Sequence, residues 1–236
     1  MTPNNQKPEA AIKNHDGHEL DLHSMFSTIQ GEGPFTGHRA IFIRLAGCNL
    51  QCPGCDTEYT SRRVSKTPLD LVEVVKLAPP TELIVITGGE PFRQNLVPLI
   101  AQLLMLAPML MVQIETNGVL PIPESFSDYF YGHNRVKVIV SPKTSRVHQS
   151  VDRIAAAYKY VLRSGSIADD GLPTQALYHK ATPHVARPVK DVPIYVNPMD
   201  EQDDERNKLN LDACVRSCMQ HGHILGIQLH KYLGME

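Results

Sequence analysis

The chain has 236 residues, which suits one large domain with its own core. Its 23 Lys and Arg residues nearly balance its 25 Asp and Glu residues, which argues against a nucleic-acid-binding surface and favours a small-molecule partner. It has no apolar run of the roughly 18 residues that a membrane helix needs, and its polar start lacks the apolar part of a signal peptide. We therefore expect a cytoplasmic protein with no membrane partner.

The first twenty residues are polar and predict a disordered tail, followed by a single core domain over residues 21–236. Short β-rich runs then alternate with amphipathic helical segments, as in an α/β domain with a mostly parallel sheet. The predicted strands are 40–46, 83–87, 110–115, 136–140, 158–162, 194–197 and 224–228, and the predicted helices are 68–77, 91–106, 151–157 and 203–221. Residues 163–191 are rich in Gly, Pro and His and predict a long loop or a small insertion.

Three cysteines, Cys48, Cys52 and Cys55, follow the first predicted strand with C-x3-C-x2-C spacing. A cubane iron–sulfur cluster normally takes four thiolates, so three leave one iron open to a ligand that is not protein. Zinc completed by Asp56 or His38 is an alternative, but structural zinc sites usually show two spaced pairs and no second pair follows. A reactive disulfide is a third reading. We favour the cluster.

Cys214 and Cys218 lie four residues apart on one apolar stripe of a predicted helix and are interpreted as buried core thiols. Five cysteines of which three are clustered suit a reducing compartment better than a disulfide framework.

Unusual residues follow five of the predicted strands. They are the cysteine loop, then TGGEP at 87–91, ETNG at 115–118, SPK at 141–143 and NPMD at 197–200. Because the carboxyl ends of parallel strands meet at one rim, we expect these segments to surround one site. In TGGEP, the glycine pair permits close approach of a ligand to the backbone, and Glu90 is a candidate partner for an ammonium group.

The cysteine loop together with GGE at 88–90 resembles the radical S-adenosylmethionine superfamily. The likeness narrows with MFSTIQGEG at 25–33, AIFIRLAGC at 40–48 and QLHKYLGME at 228–236, which are similar to the 7-carboxy-7-deazaguanine synthase family. It covers nearly all of the chain from about residue 20. The sequence departs from the pattern at Gly54, where the superfamily often has an aromatic residue, and within 163–191.

The resemblance implies an α/β fold of the partial (β/α)6 barrel type with a mostly parallel sheet. It implies a lyase that contracts the ring of 6-carboxy-5,6,7,8-tetrahydropterin to 7-carboxy-7-deazaguanine with loss of ammonia, in queuosine biosynthesis. The cofactors implied are a 4Fe-4S cluster, S-adenosylmethionine and Mg²⁺, and the partners are an electron donor such as a flavodoxin or ferredoxin and a second copy of the chain. A glycyl-radical-enzyme activase and a non-catalytic iron–sulfur or zinc module remain as alternatives.

The family's site residues carry over to matching positions. For S-adenosylmethionine they are Gly54, Cys55, Asp56, Gly89, Ser141, Pro142, Lys143, Asn197, Pro198, Met199 and Asp200. For the pterin they are Ile29, Gln30 and Gly31 against the heterocycle, Arg44 against the carboxylate as a bidentate partner, and Thr87 with its hydroxyl. Cys48, Cys52 and Cys55 hold the cluster and Thr57 contacts Mg²⁺. No general base is assigned.

Overall fold

The computed structural model describes residues 4–180 and 184–235. In this part of the chain, a nine-stranded sheet has the order β11-β10-β7-β6-β5-β4-β2-β1-β3. The strands are β1 (Leu20–Ile29), β2 (Arg39–Leu45), β3 (Val64–Lys66), β4 (Leu83–Gly88), β5 (Met111–Thr116), β6 (Val136–Val140), β7 (Ala155–Leu162), β10 (Ile194–Pro198) and β11 (Ile224–Leu225). From β2 to β11 all neighbouring strands are parallel, whereas β1 pairs antiparallel with both β2 and β3. The sheet does not close, so the expected partial barrel is confirmed.

The connections carry the helices α1 (Pro68–Leu77), α2 (Val97–Leu106), α3 (Glu124–Phe130), α4 (Gln149–Ile154), α5 (Asp204–His221) and α6 (Leu229–Leu233). Short 3-10 helices occupy Gly33–Phe35 and Pro91–Arg93. A separate hairpin, β8 (Gln175–Ala176) and β9 (His179–Lys180), lies within the predicted insertion. No helix in the described ranges combines the length and apolarity needed to cross a membrane.

The two faces of the parallel strands differ in character. In β2, Ile41, Ile43 and Leu45 are buried in the main hydrophobic core, whereas the alternate residues Phe42 and Arg44 line a cavity on the other face. The sequence predicts strands buried among apolar groups on both faces. The helix-covered face is apolar throughout, whereas the inner face is apolar around Ala40, Leu83 and Val85 and polar where it lines the cavity. Because side chains alternate along a strand, one apolar set packs on the helices while the other set is free to be polar.

Two predicted helices differ in extent from the structure. Residues 91–106 form a 3-10 turn and then α2, because the Gln94 side chain accepts a hydrogen bond from the Asp21 amide (2.7 Å) and donates one to its carbonyl (3.2 Å). The predicted helix 151–157 ends at Ile154, since Ala155 pairs with Val138 of β6 and starts β7. Tertiary pairing overrides the local helical pattern in both places.

The polar segment before β1, expected as a disordered tail, has defined contacts over residues 4–19; residues 1–3 lie outside the described residues. Its backbone amide at Glu9 donates to the Cys48 carbonyl (2.7 Å), and the amide of Ile12 donates to the Arg93 carbonyl (2.9 Å). In the segment 163–191, of which residues 181–183 lie outside the described part, Leu177 and Tyr178 form the hairpin turn with φ of 49° and 60°.

Candidate active site

A cavity of about 1220 Å³, including its open mouth, lies at the carboxyl ends of the parallel strands. Thirteen of the residues predicted for the site line it: Ile29, Gln30, Gly31, Arg44, Cys48, Cys52, Cys55, Asp56, Thr57, Thr87, Gly89, Ser141 and Lys143. The segments after β2, β4, β5 and β6 therefore converge as expected. Six predicted residues are not in the wall: Gly54, Pro142, Asn197, Pro198, Met199 and Asp200.

The three thiols of the cysteine loop open into this cavity. Cys48 and Cys52 are buried, each 7% exposed, and the Asn117 side-chain amide approaches the Cys48 sulfur at 3.9 Å. Burial raises the pKa of the Cys48 thiol to about 12 and that of Cys52 to about 11. A thiolate here therefore needs a bound cation, and a thiolate is the form that binds metal.

The donor set fits an iron–sulfur cluster. Within the described ranges, no three His, Cys, Asp or Glu side chains are arranged to hold a single metal ion. A cubane does not require such an arrangement, because each thiolate binds a different iron. The three thiols are close enough to influence one another's charge and share one cavity, which is the placement that a cluster needs.

Lys143 lies beside the cysteine loop and carries charge of the opposite sign to thiolates. Its ammonium donates to the Ser141 carbonyl (2.7 Å) and hydroxyl (2.6 Å). Burial lowers the pKa of Lys143, while Cys52 and Cys55 act in the opposite direction. This position suits a group that compensates negative charge at the cavity wall.

The glycine pair of TGGEP brings β4 against the cysteine loop. A Cβ on Gly89 would lie 2.0 Å from the Gly47 carbonyl oxygen, and one on Gly88, with φ of 130°, would lie 2.2 Å from that of Leu45. The close approach that the two glycines permit is therefore to protein backbone, and Gly89 also reaches the cavity wall. Any larger residue at Gly89 would push the two loops apart.

Glu90, a candidate partner for an ammonium group, is fully buried outside the cavity wall. Its carboxylate accepts hydrogen bonds from the Thr116 hydroxyl (2.7 Å) and from the amides of Asn117 (2.8 Å) and Phe92 (3.0 Å). Burial raises its pKa above the usual value. In this structure the side chain joins the loop after β4 to the end of β5.

Five polar residues form a network on the inner face of the barrel. Lys159 of β7 pairs with the carboxylates of Glu32 and Glu115, the latter at 3.3 Å. Glu115 also accepts from Gln30 (3.1 Å), and Glu32 accepts from Gln228 (2.6 Å). Although burial opposes both charges, the ion pair lowers the pKa of Glu32 and raises that of Lys159.

Arg44 and Thr87 are neighbours across the parallel pair β2 and β4. The Arg44 guanidinium lies over the Phe26 ring, 5.0 Å from its centroid, and Arg44 contributes to the electrostatic surroundings of Cys55. Since β2 lies between β1 and β4, Arg44 is on an interior strand and faces the cavity rather than an exposed edge. A cation is thus held near the cysteine loop.

The run 197–200 is not part of the cavity wall, although Asn197 is the register partner of Val161, which is in the wall. Asn197 is fully buried, and both polar atoms of its side chain have no partner among the described residues. A Cβ on Gly226 would lie 1.7 Å from its Oδ1, so Gly226 covers the amide. Asp200 pairs with Lys231 (3.3 Å), which ties this turn to α6.

Gly54 is buried beneath the β8–β9 hairpin. Its amide donates to the Leu177 carbonyl (2.9 Å), and a Cβ at Gly54 would lie 2.9 Å from Cδ2 of Tyr178. The segment 163–191 thus fills the space next to the one loop position that departs from the superfamily pattern.

Sequence reasoning missed several residues of the cavity wall as site residues, among them Glu32, Lys159, Leu177, Gln228 and His230. Glu115 and Asn117 belong to the segment 115–118, which was expected at this site. One signal was available for Lys159: it is a single charge within the apolar run AAAYKYVL. A lone charge in a parallel strand must face a cavity or a partner. Gln228 and His230 lie in the C-terminal motif of the family resemblance, but no local pattern assigns them to the site, which they reach through the fold.

Comparisons with known proteins show the family of the chain. The Radical SAM superfamily model matches residues 42–161. A 7-carboxy-7-deazaguanine synthase of Rhodospirillum rubrum is 39% identical over 234 residues, covering 92% of this chain and 93% of the relative. One of Rickettsia prowazekii is 33% identical over 240 residues, covering 97% and 94%. The crystal structure of QueE from Escherichia coli shares the fold, with a TM-score of 0.65 at 23% identity over 89% of this chain and 93% of that one. The chain therefore belongs to the radical SAM superfamily and, within it, to the 7-carboxy-7-deazaguanine synthase family.

Proposed function

We propose that this chain is a lyase that converts 6-carboxy-5,6,7,8-tetrahydropterin to 7-carboxy-7-deazaguanine with loss of ammonia, as a step of queuosine biosynthesis. The observation that carries the proposal is the cavity itself. Three thiols, two of them buried, face this cavity together with an arginine and a polar inner barrel. Relatives named for this activity match over more than nine-tenths of their length.

The cofactors are a 4Fe-4S cluster and S-adenosylmethionine, which supply radical chemistry when bound. Cys48, Cys52 and Cys55 hold the cluster, and Lys143 offsets negative charge beside them. For S-adenosylmethionine we propose Asp56, Gly89 and Ser141 as wall residues. Cys55 and Lys143 of the wall, and Gly54, Pro142 and residues 197–200 next to it, complete the proposed S-adenosylmethionine set.

The substrate is an anionic heterocycle, and the inner barrel offers groups of matching chemistry. Arg44 is proposed to pair with the carboxylate, and Thr87, its neighbour across β2 and β4, to contribute a hydroxyl. Gln30 is proposed to hydrogen-bond the ring, next to Ile29 and Gly31. Glu115 holds the Gln30 side chain in place at 3.1 Å.

Thr57 is proposed as the contact for Mg²⁺, with the remaining ligands from water and substrate. Its hydroxyl lies on the cavity wall and donates to the Asp56 carboxylate (3.3 Å), so two oxygen ligands of the kind that Mg²⁺ prefers are close together.

A flavodoxin or ferredoxin is proposed as electron donor, and the cytoplasm as the compartment, in keeping with five cysteines that are all unpaired. Residues 21–236 are proposed as one domain.

Complementation tests the proposal in cells. A bacterial strain lacking its own synthase is given either this chain or its Cys52→Ala variant, and queuosine in tRNA is measured by mass spectrometry. We expect queuosine with the unchanged chain and none with Cys52→Ala, because two thiols cannot hold the cluster. A Cys218→Ser variant, changed at a cysteine far from the cavity, serves as the control and should restore queuosine. Queuosine formation by Cys52→Ala would contradict the cluster assignment.

A further inference from the structure

The loop that carries the three cysteines has no regular structure of its own. It runs from the end of β2 at Leu45 to the start of β3 at Val64 without a helix or strand. A backbone in this state depends on partners from elsewhere for its amide and carbonyl groups. Residues 4–12, at the start of the described chain, supply several of them and will be called the strap.

Three carbonyl groups of the loop accept hydrogen bonds from the strap. The Cys48 carbonyl accepts from the Glu9 amide (2.7 Å), and the Cys52 carbonyl accepts from the Asn4 side chain (3.0 Å). The Thr57 carbonyl accepts from the Gln6 side chain (2.9 Å). Two of these carbonyls belong to the cysteines themselves, so the strap acts at the residues that present the thiols.

The carboxamide of Gln6 bridges two positions on the return limb of the loop. Its nitrogen donates to the Thr57 carbonyl, while its oxygen accepts from the Tyr59 amide (2.7 Å). Tyr59 is 1% exposed, and its hydroxyl donates to the Leu50 carbonyl on the outgoing limb (3.2 Å). Gln6 therefore fixes a residue that joins the two limbs of the loop.

The carboxylate of Glu9 ties the two ends of the loop together. It pairs with Arg63 at the end of the loop (2.6 Å) and with Arg93 of the 3-10 helix Pro91–Arg93 (2.8 Å). Arg93 is 3% exposed and also donates to the carbonyl of Ala46 (3.0 Å), at the start of the loop. Although burial acts in the opposite direction, the two guanidinium groups hold the pKa of Glu9 below its usual value.

We propose that the strap holds the cysteine loop in its cluster-binding shape, with Gln6 and Glu9 as positioning residues. The identity of the cluster rests on the proposed function, but the restraint on the loop does not. Without the strap, the Cys48 carbonyl would lose its bond from Glu9, and the Cys52 and Thr57 carbonyls would keep only the contacts from the amide (3.1 Å) and thiol (3.5 Å) of Cys55. The thiols would then spread over many positions. A cluster held by a looser loop loses iron faster.

Amide hydrogen exchange on the metal-free protein tests the restraint alone. In Gln6→Ala, exchange at the Tyr59 amide should rise about tenfold, as expected for one lost hydrogen bond. Glu9→Ala should raise exchange across residues 47–59. Lys7→Ala is the matched control, since Lys7 is exposed on the same strap, and it should match the unchanged chain. Equal exchange in Gln6→Ala and Lys7→Ala would overturn the proposal.

Iron release from the reconstituted protein tests the consequence for the cluster. The probe is an Fe²⁺ chelator added under anaerobic conditions, with cluster absorbance followed over time. We expect release about tenfold faster in Gln6→Ala and in Glu9→Ala than in Lys7→Ala. Equal release rates would overturn the role of the strap in cluster retention. Failure of the unchanged chain to hold iron would instead contradict the proposed function, while the exchange experiment would still test the strap.

Discussion

Lys159 carries the positive charge at the centre of the inner polar network. Its side chain is 7% exposed, and its ammonium lies between the carboxylates of Glu32 and Glu115. The side chains of both acids are at most 18% exposed, so their charges depend on this cation. The burial makes Lys159 a residue whose removal affects the fold as well as the site.

Replacing Lys159 by Met should lower the free energy of unfolding by about 3–5 kcal/mol, because two buried carboxylates then lose their counter-charge. Urea unfolding of the metal-free protein measures this. Lys76→Met is the control, since it breaks an exposed ion pair with Glu73 (2.7 Å) on α1. This change should lower the free energy of unfolding by less than about 1 kcal/mol. A similar loss of unfolding free energy in the two variants would show that the buried network does not stabilise the fold.

The pH dependence of stability follows from Glu32. Its pKa in the folded protein lies below the unfolded value of about 4.3, because of Lys159. Its contribution is therefore complete above that unfolded value and is lost as pH falls through the lower folded value. Urea unfolding at several pH values should show the advantage of the unchanged chain over Glu32→Gln shrinking below about pH 4.5. An advantage that is constant from pH 7 to 3 would contradict the ion pair.

Arg44 provides a test of the substrate subsite. Arg44→Ala should raise the KM for the tetrahydropterin about 10- to 150-fold, the loss of a charge-assisted hydrogen-bond pair worth about 1.5–3 kcal/mol. Slow cleavage of S-adenosylmethionine should persist, because the cysteines are untouched. The KM of Arg44→Lys should lie between those of the unchanged chain and Arg44→Ala, since lysine keeps the charge and loses the bidentate geometry. An unchanged KM in Arg44→Ala would remove Arg44 from the pterin pocket.

At the scale of elements, the end of β4 is fitted against the cysteine loop through backbone contact. Gly89→Ala should destabilise the protein and lower its iron content after reconstitution, since the new Cβ would meet the Gly47 carbonyl at 2.0 Å. Gly165→Ala is the control, because the φ of 80° at Gly165 is strained for alanine but the space around it is open. We expect this variant to lose about 1 kcal/mol of stability and to keep a normal iron content. Normal iron content in Gly89→Ala would show that the two loops are not coupled.

The elements were predictable to the extent that local pattern decides them. The apolar strands β2, β4, β5 and β6 and helix α1 lie within two residues of their predicted bounds, because each buries an apolar face. β1 was missed, since LDLHSMFSTI mixes polar and apolar residues and gains its pairing only from β2. The break before α2 depends on Gln94 reaching Asp21, 73 positions away, which no local window contains.

At the scale of the whole molecule, the comparisons confirm the family, the enzyme class and the cluster and S-adenosylmethionine that the motifs predicted. The motifs sufficed because cysteine spacing and the strand-end segments are local. The rest of the cavity wall is assembled over long distances. Gln228 meets Glu32 across 196 positions, and His230 follows it on α6. Sequence order alone does not place the C-terminal segment at the mouth of the barrel.

The homodimer that the family resemblance implies stays a proposal at this scale. Ile224 and Leu225 of β11, and Ile227 just after it, are about 40% exposed where the sheet ends. Light scattering should give twice the 26.3 kDa of one chain. Leu225→Lys, which places a charge on this edge, should favour the monomer. Met105→Lys, at an exposed position of α2, should not. A monomeric mass for the unchanged chain would contradict the proposal.

The most direct test of the account is anaerobic turnover by the reconstituted, chemically reduced protein with S-adenosylmethionine, Mg²⁺ and 6-carboxy-5,6,7,8-tetrahydropterin, followed by mass spectrometry. We predict 7-carboxy-7-deazaguanine and ammonia in equal amounts. Formation of 5′-deoxyadenosine without that product would contradict the substrate assignment, and formation of neither by cluster-loaded protein would contradict the proposed chemistry of the cavity.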